Sequence, residues 1–160
     1  MSLRLKRFIL LCLFVTSKDF QTSKDKSQMS YIYFNMNPSK RKTIDCVIRA
    51  VSFATNQDWE TTFVHIAVWC TMFHDMPEAN HIWTGYLRYR GFKRYVIPDT
   101  CPICYTVKDF CYDHPVGTYI LVIVSHGEGG GHVVAVRDGD YYDIWDSGDE
   151  IPSYYWVKAD

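Results

Sequence analysis

Three features are missing from the sequence, and each absence narrows the kind of protein it can encode. The chain has no basic excess, because 17 Lys and Arg residues stand against 18 Asp and Glu residues for a formal net charge of −1. Gripping nucleic acid through its phosphates requires a basic face, so we expect no nucleic-acid partner. The longest apolar run near the N-terminus, residues 8–15, is far shorter than the ~20 residues of a membrane-spanning helix. No internal repeat or low-complexity tract appears.

What the sequence does contain is enough apolar material for one domain with a real core. The 160 residues are 48% hydrophobic and 16% aromatic, which excludes global disorder. Six cysteines suggest a disulfide framework at first sight, but their spacing is uneven and a chain of this length needs no such support. We therefore expect reduced thiols and a cytoplasmic protein.

Residues 1–28 differ in character from residues 29–160, which we assign to the folded domain. Basic residues precede the apolar run in the order of a secretory signal, but no A-x-A-like cleavage site follows. Met29 begins a stretch that resembles a natural protein start. Three interpretations of residues 1–28 stay open: a weak signal peptide, which would make the protein secreted; a disordered or upstream-start extension; and a surface helix.

Hydrophobic periodicity predicts helices in the first half of the domain. Asp45 is placed to cap a first helix that ends at Asn56, and Asp58 begins a second. The second helix has an apolar stripe that we expect to face inward, made of Trp59, Phe63, Ile66, Ala67, Cys70 and Phe73. A third helix covers Asn80 to Arg90, with Gly91 as its stop.

The second half of the domain favours strands. Thr106 and Asp109 form a capping box for one short helix. Residues 118–124 form a continuous apolar run typical of a buried strand, and Asp138-Gly139 predicts a hairpin turn between two further strands. Helices followed by an antiparallel sheet make an α+β fold, in which N-terminal helices pack on a C-terminal sheet.

Cys46, in the first turn of the first helix, is the candidate nucleophile. Only a thiolate is nucleophilic, and a helix N-terminus stabilises an anion by about 0.3–1 kcal/mol, too little to ionise a thiol at neutral pH. A histidine from elsewhere in the chain is therefore required. His132 is the best of six candidates, because it begins a strand beside a Gly-rich loop and can point into a cleft.

Three segments, taken in order, resemble the papain-like cysteine peptidase superfamily: Asp45-Cys46 at the start of a helix, residues 131–136 and residues 145–148. In that family a helix carries the Cys, a later strand begins with the His, and the next strand ends with an Asn or Asp that orients the imidazole. The stretch from Tyr31 to Lys158 also resembles small uncharacterised papain-like proteins of bacteria and their phages.

The resemblance implies that Cys46 is the nucleophile, His132 the general base and then acid, and Asp146 the residue that orients it. Strand register complicates the third assignment. With a two-residue turn at Asp138-Gly139, Asp146 points away from His132 unless a bulge intervenes, and Asp143 becomes the alternative partner. Asp149 is a weaker third choice.

The sequence departs from the papain pattern at the oxyanion hole. Papain-type enzymes place a Gln shortly before the Cys, and the loop before Cys46 has none. Asn37 is the preferred substitute, ahead of Asn35 and Thr43. One missing oxyanion donor costs about 10²–10³ in rate, so a catalytically silent fold is a serious alternative.

A second cluster has the residue types of a metal site. The pattern C-x2-C-x6-C-x2-H, formed by Cys101, Cys104, Cys111 and His114, is a weak zinc candidate because its spacing is short and Cys111 falls on a predicted helix.

Three functions follow from these observations. The first is a cysteine hydrolase of the peptidase or amidase type that acts on a peptide or protein without a cofactor. The second is a catalytically inactive papain-fold binding or assembly protein of phage origin, and the third is a zinc-stabilised binding module. The sequence leaves the oligomeric state open.

Overall fold

The computed structural model describes residues 29–124 and 131–159, so the three interpretations of residues 1–28 lie outside the described residues. The described residues form an α+β fold. Its elements are β1 (Tyr31–Tyr33), α1 (Cys46–Thr55), α2 (Trp59–Phe73), α3 (Asn80–Tyr89), β2 (Phe92–Val96), α4 (Val107–Asp113), β3 (Thr118–Ile123), β4 (His132–Arg137), β5 (Asp140–Asp143) and β6 (Pro152–Lys158).

The strands form one sheet in the order β1-β5-β4-β3-β6-β2. The sheet is mixed rather than antiparallel throughout, because β1 runs parallel to β5 with Tyr31 opposite Tyr141. The expectation of a purely antiparallel sheet is therefore wrong at this edge. The cause is topological. β1 and β5 are far apart in the chain, so no tight hairpin turn joins them and β1 can lie parallel to β5 at the edge of the sheet.

The hairpin of β4 and β5 has the predicted two-residue turn. Arg137 pairs with Asp140, and the two residues between them, Asp138 and Gly139, have φ angles of 51° and 80°. Two positive φ angles in succession match the twist of flanking strands and are typical of Asp-Gly turns. The predicted register is confirmed, and it decides the geometry of the site described below.

Both faces of the sheet are buried. Along β3, Ile120 and Val122 join the core beneath α1–α3, whereas Leu121 and Ile123 join the core beneath α4. Successive side chains of a strand point to opposite faces, so a strand covered on both sides reads as a continuous apolar run. The buried strand predicted from residues 118–124 is confirmed.

Most helix ends match their predicted signals. Asp58 accepts a hydrogen bond from Thr61 N (2.6 Å), Asn56 ends α1 with a left-handed φ of 54°, and Thr106 forms the capping box with Asp109. Asp45 is the exception. It occupies the N-cap position of α1, but its side chain makes no capping hydrogen bond and is directed elsewhere.

Helix α2 packs differently from the prediction. It lies against α1 and α3 rather than on the sheet, so only a narrow strip of it is covered. Ile66 is fully buried, but Phe63 and Phe73, which belong to the same predicted inward stripe, are 41% and 51% exposed. None of the helices within residues 29–124 and 131–159 combines the length and apolar character needed to cross a membrane.

We predict unequal effects from two substitutions on the α2 stripe. Ile66→Ala should lower the free energy of unfolding by about 2–5 kcal/mol, because it empties space in the core. Phe73→Ala should cost under about 1 kcal/mol, because its ring is half exposed. Urea denaturation of both variants measures the difference, and equal losses would contradict the packing of α2.

Candidate active site

Cys46 is the first residue of α1, and its side chain is half-buried. The first backbone N–H groups of a helix have no partner within the helix, and the first such bond of α1 runs from Arg49 N to Asp45 O. The backbone N–H of Cys46 is therefore not engaged by the helix. The chain thus presents a thiol and a backbone donor at the same helix end.

His132 and Asp143 meet because they lie at the same end of the hairpin. His132 begins β4 and Asp143 ends the antiparallel β5. Extending the register of Ala135 and Tyr142 by one residue places Asp143 opposite Val134, two residues from His132 and hence on the same face. His132 Nε2 lies 2.5 Å from Asp143 Oδ2.

Cys46 is a neighbour of the same imidazole, and its side chain is one of the groups that raise the pKa of His132. Because Nε2 is engaged by Asp143, Nδ1 is the ring nitrogen that this contact leaves available. The structure therefore brings together a thiol, an imidazole and a carboxylate from α1, β4 and β5.

The carboxylate in this arrangement is Asp143, not Asp146. Asp146 accepts hydrogen bonds from Tyr141 Oη (2.6 Å) and Gly148 N (3.1 Å), and the bond from Tyr141 contributes most to a lowered pKa of Asp146. The structure does not bring Asp146, the preferred third residue, to His132, because Tyr141 and Gly148 hold its carboxylate while Asp143 occupies the imidazole. Asp149, the third choice, pairs with Lys108 on the surface.

The charge state of His132 reflects two opposing effects. Burial by itself lowers the pKa of His132, but hydrogen bonds to Asp143 and Cys46 outweigh it and raise the pKa from 6.5 to about 9. The imidazole is therefore protonated at neutral pH. The ring of Trp145 lies 5.3 Å from that of His132, centroid to centroid, and covers one side of the imidazole.

A buried arginine completes the surroundings of Asp143. Arg49 forms an ion pair with Asp45, and its Nη2 lies 3.6 Å from Asp143 Oδ1. Sequence reasoning missed this residue. The signal that could have found it is the i, i+4 spacing of Asp45 and Arg49 on one helix, next to the candidate nucleophile.

Asn37, the expected oxyanion donor, is buried close to the site but donates elsewhere. Its Nδ2 lies 3.4 Å from Asp45 Oδ2, and its Oδ1 accepts from Ser39 N at 3.0 Å. Asp45 also accepts from Trp59 Nε1 at 3.0 Å. The role of Asn37 as an oxyanion donor stays a prediction.

A cleft of about 580 Å³ runs alongside Cys46. Its walls are the start of α1, the chain before α3 and one end of the sheet. The lining is mostly apolar, with Asp45, Glu78 and Asn80 as polar members, and it includes Cys46 but not His132. This volume is within the range of small-molecule and peptide sites. A cavity of similar size, about 590 Å³, lies between α2 and α3 and contains none of the predicted catalytic residues.

The zinc arrangement does not assemble. Cys101 and Cys104 are exposed, whereas Cys111 is buried in the core beneath α4 and the His114 ring stacks on Phe110 at 3.9 Å. Within the described part of the chain, no group of three or more His, Cys, Asp or Glu side chains is placed to hold a metal ion. The four weak zinc candidates therefore lie apart in this structure, because Cys111 is in the core whereas Cys101 and Cys104 are on the surface.

Comparisons with protein-family models, curated proteins and solved structures returned no match. Inference of function therefore depends on the geometry of Cys46, His132 and Asp143.

We predict that His132 makes stability depend on pH. Because folding raises the pKa of His132 from 6.5 to about 9, its contribution is complete below pH 6.5 and is lost as the pH rises through about 9. This difference corresponds to a loss on the order of 3 kcal/mol in the free energy of unfolding. Urea titrations between pH 6 and pH 9.5 measure it.

The matched variants for this prediction are His132→Gln and His81→Gln, which replaces an exposed histidine. His132→Gln should flatten the pH dependence between pH 6.5 and pH 9, whereas His81→Gln should retain it. A wild-type slope that survives in His132→Gln would disprove the prediction.

We also predict that Gly131 has no room for a side chain. A Cβ at Gly131 would lie 2.9 Å from the carbonyl oxygen of Ile123, which belongs to the backbone and cannot easily move aside. Gly131→Ala should therefore displace the start of β4 and weaken the His132 contacts. The pKa of His132, measured by NMR titration, should fall from about 9 toward its ordinary value of 6.5.

The control for this variant is Gly91→Ala. Gly91 has a φ of 84° with open space around it, so alanine strains the backbone far from the site. Gly91→Ala should lower stability without moving the His132 titration. Identical titrations in the two variants would show that Gly131 does not position β4.

Proposed function

We propose that the protein is a papain-like cysteine hydrolase that cleaves an amide bond in a peptide or protein substrate. The observation that carries this proposal is the imidazole of His132, which bonds to the buried Asp143 carboxylate and has Cys46, a residue of the cleft wall, as its neighbour. The order of the three residues in helix, strand and following strand supports the family resemblance.

The charge state of the site suits nucleophilic catalysis. A protonated imidazole next to a thiol favours the thiolate, which is the reactive form of cysteine. His132 keeps its proton at neutral pH because its pKa is raised to about 9. Cys46 would therefore act as the nucleophile with His132 as its proton partner, and Asp143 would fix the ring and stabilise its charge.

The reaction proceeds in two stages. The Cys46 sulfur attacks the carbonyl carbon of the substrate, the C–N bond breaks, and His132 gives its proton to the leaving amine. Water then attacks the thioester, with His132 as base, which releases the carboxylic acid and restores the thiol. The backbone N–H of Cys46 at the start of α1 is available to stabilise the oxyanion.

The mostly apolar cleft and the near-zero net charge fit a peptide or protein partner better than a nucleic acid. A phage-related origin and a cytoplasmic location, or secretion if residues 1–28 act as a signal, belong to the same proposal. Cell fractionation of the tagged full chain would decide the compartment.

The second candidate is a catalytically inactive papain-fold protein used for binding or assembly. The observation that favours it is the position of Asn37, which is buried and has one of its two Nδ2 donors directed at Asp45. This candidate predicts an ordinary thiol at Cys46.

Labelling with iodoacetamide separates the two candidates. At pH 7, Cys46 should react at least about tenfold faster than the exposed thiols of Cys101 and Cys104, because it has an imidazolium neighbour. Trypsin should release Cys46 alone in the peptide of residues 43–49, so its rate can be followed by mass spectrometry. Release of new amino groups from a peptide library then measures hydrolysis.

The control variants divide the roles of the carboxylates. His132→Ala and Asp143→Asn should each abolish the rate advantage of Cys46, whereas Asp146→Asn should retain it. A Cys46 rate that equals that of Cys101 in the wild type, or that ignores His132→Ala, would eliminate the hydrolase and leave the inactive fold.

A further inference from the structure

Arg49 is a charged side chain in the interior, held between two buried carboxylates. Its exposed fraction is 4%, and those of Asp45 and Asp143 are 5% and 2%. It is ion-paired with Asp45 on its own helix, and its Nη2 lies 3.6 Å from Asp143 Oδ1 at the end of β5. The guanidinium therefore joins the helix of the nucleophile to the strand of the carboxylate.

Stability alone gives little reason to bury these charges. Removing an arginine from water is costly, and an apolar group of similar volume often serves a core equally well. Burial lowers the pKa of Arg49, while the charge of Asp143 opposes that effect, and an arginine retains its proton in proteins. The network thus keeps a fixed positive charge beside Asp143.

The two oxygens of Asp143 have different partners. Oδ1 accepts from Ile144 N at 2.7 Å and faces Arg49, whereas Oδ2 faces His132 Nε2. The terminal torsion of an aspartate is broad, so an unheld carboxylate rotates readily. Contacts on Oδ1 restrict this rotation and keep Oδ2 on the imidazole.

We propose that Arg49 is a positioning residue that holds Asp143 through Oδ1 and thereby fixes the His132 ring toward Cys46. Its consequence for catalysis rests on the proposed hydrolase function. Its effect on the imidazole does not, because the Asp143–His132 contact exists whether or not a substrate is turned over.

The test removes the arginine without leaving an uncompensated charge. Arg49→Met alone would leave the buried carboxylates of Asp45 and Asp143 without their positive partner and risks unfolding. The principal variant is therefore the double substitution Asp45→Asn with Arg49→Met. Its net charge equals that of the wild type, and asparagine keeps an acceptor for Trp59 Nε1. Arg49→Lys, which keeps the charge but not the planar fork, is the conservative variant.

Arg137→Met is the matched control. Arg137 is the last residue of β4, at the opposite end of the strand from His132. There it donates to Thr118 Oγ1 (3.1 Å) and to the carbonyl of Phe53 (2.9 Å). It should lower the melting temperature without affecting the imidazole.

The readout is the NMR titration of His132 in the full chain, with Cys46 labelling at pH 7 as the second measurement. In the double variant, the pKa of His132 should fall from about 9 by one unit or more, and labelling of Cys46 should slow about tenfold. In Arg49→Lys, both the pKa of His132 and the labelling rate of Cys46 should lie between those of the double variant and the wild type. A folded double variant with the wild-type titration would overturn the proposal.

The two proposals can fail separately. If wild-type Cys46 reacts no faster than Cys101 but the His132 titration moves in the double variant, the hydrolase is wrong and the positioning role stands. If wild-type Cys46 is hyper-reactive and neither measurement changes in the double variant, the hydrolase stands and the role of Arg49 is wrong.

Discussion

The hydrogen bond between His132 Nε2 and Asp143 Oδ2 is the contact on which the rest of the site depends. Without it, burial would favour a neutral imidazole, and the thiol of Cys46 would have no cation beside it. The bond in turn requires a hairpin whose register brings one end of β4 against the matching end of β5. The position of His132 relative to Asp143 therefore follows from a two-residue turn at the opposite end of those strands.

Much of this geometry can be predicted from local sequence signals. Cys46 begins a helix and His132 begins a strand, and local sequence signals mark both boundaries. For the carboxylate, family resemblance favoured Asp146 while strand periodicity pointed to Asp143. The structure follows the periodicity, because the pleat of the strand determines which side chains share a face.

What the sequence could not predict depends on contacts between distant segments. The i, i+4 spacing can pair Arg49 with Asp45, but it does not indicate that Asp143, on a distant strand, lies beside the same arginine. Phe73 matches an inward stripe, but the stripe does not say whether a broad sheet or two narrow helices will cover it. A three-residue strand such as β1 carries no pattern that records its direction, so its parallel pairing was unpredictable.

Strand β1 has an influence beyond its length. Phe34, directly after it, donates its backbone N–H to the carbonyl of Asp143 at 2.8 Å, and Tyr31 Oη approaches the same oxygen at 3.4 Å. Strand β1 and the residue after it therefore hold the backbone of Asp143 in place. A proteolytic cut that released β1 would leave Cys46 and His132 in the chain but remove both hydrogen bonds to the Asp143 carbonyl, so the length of the N-terminal segment controls how firmly the carboxylate is held.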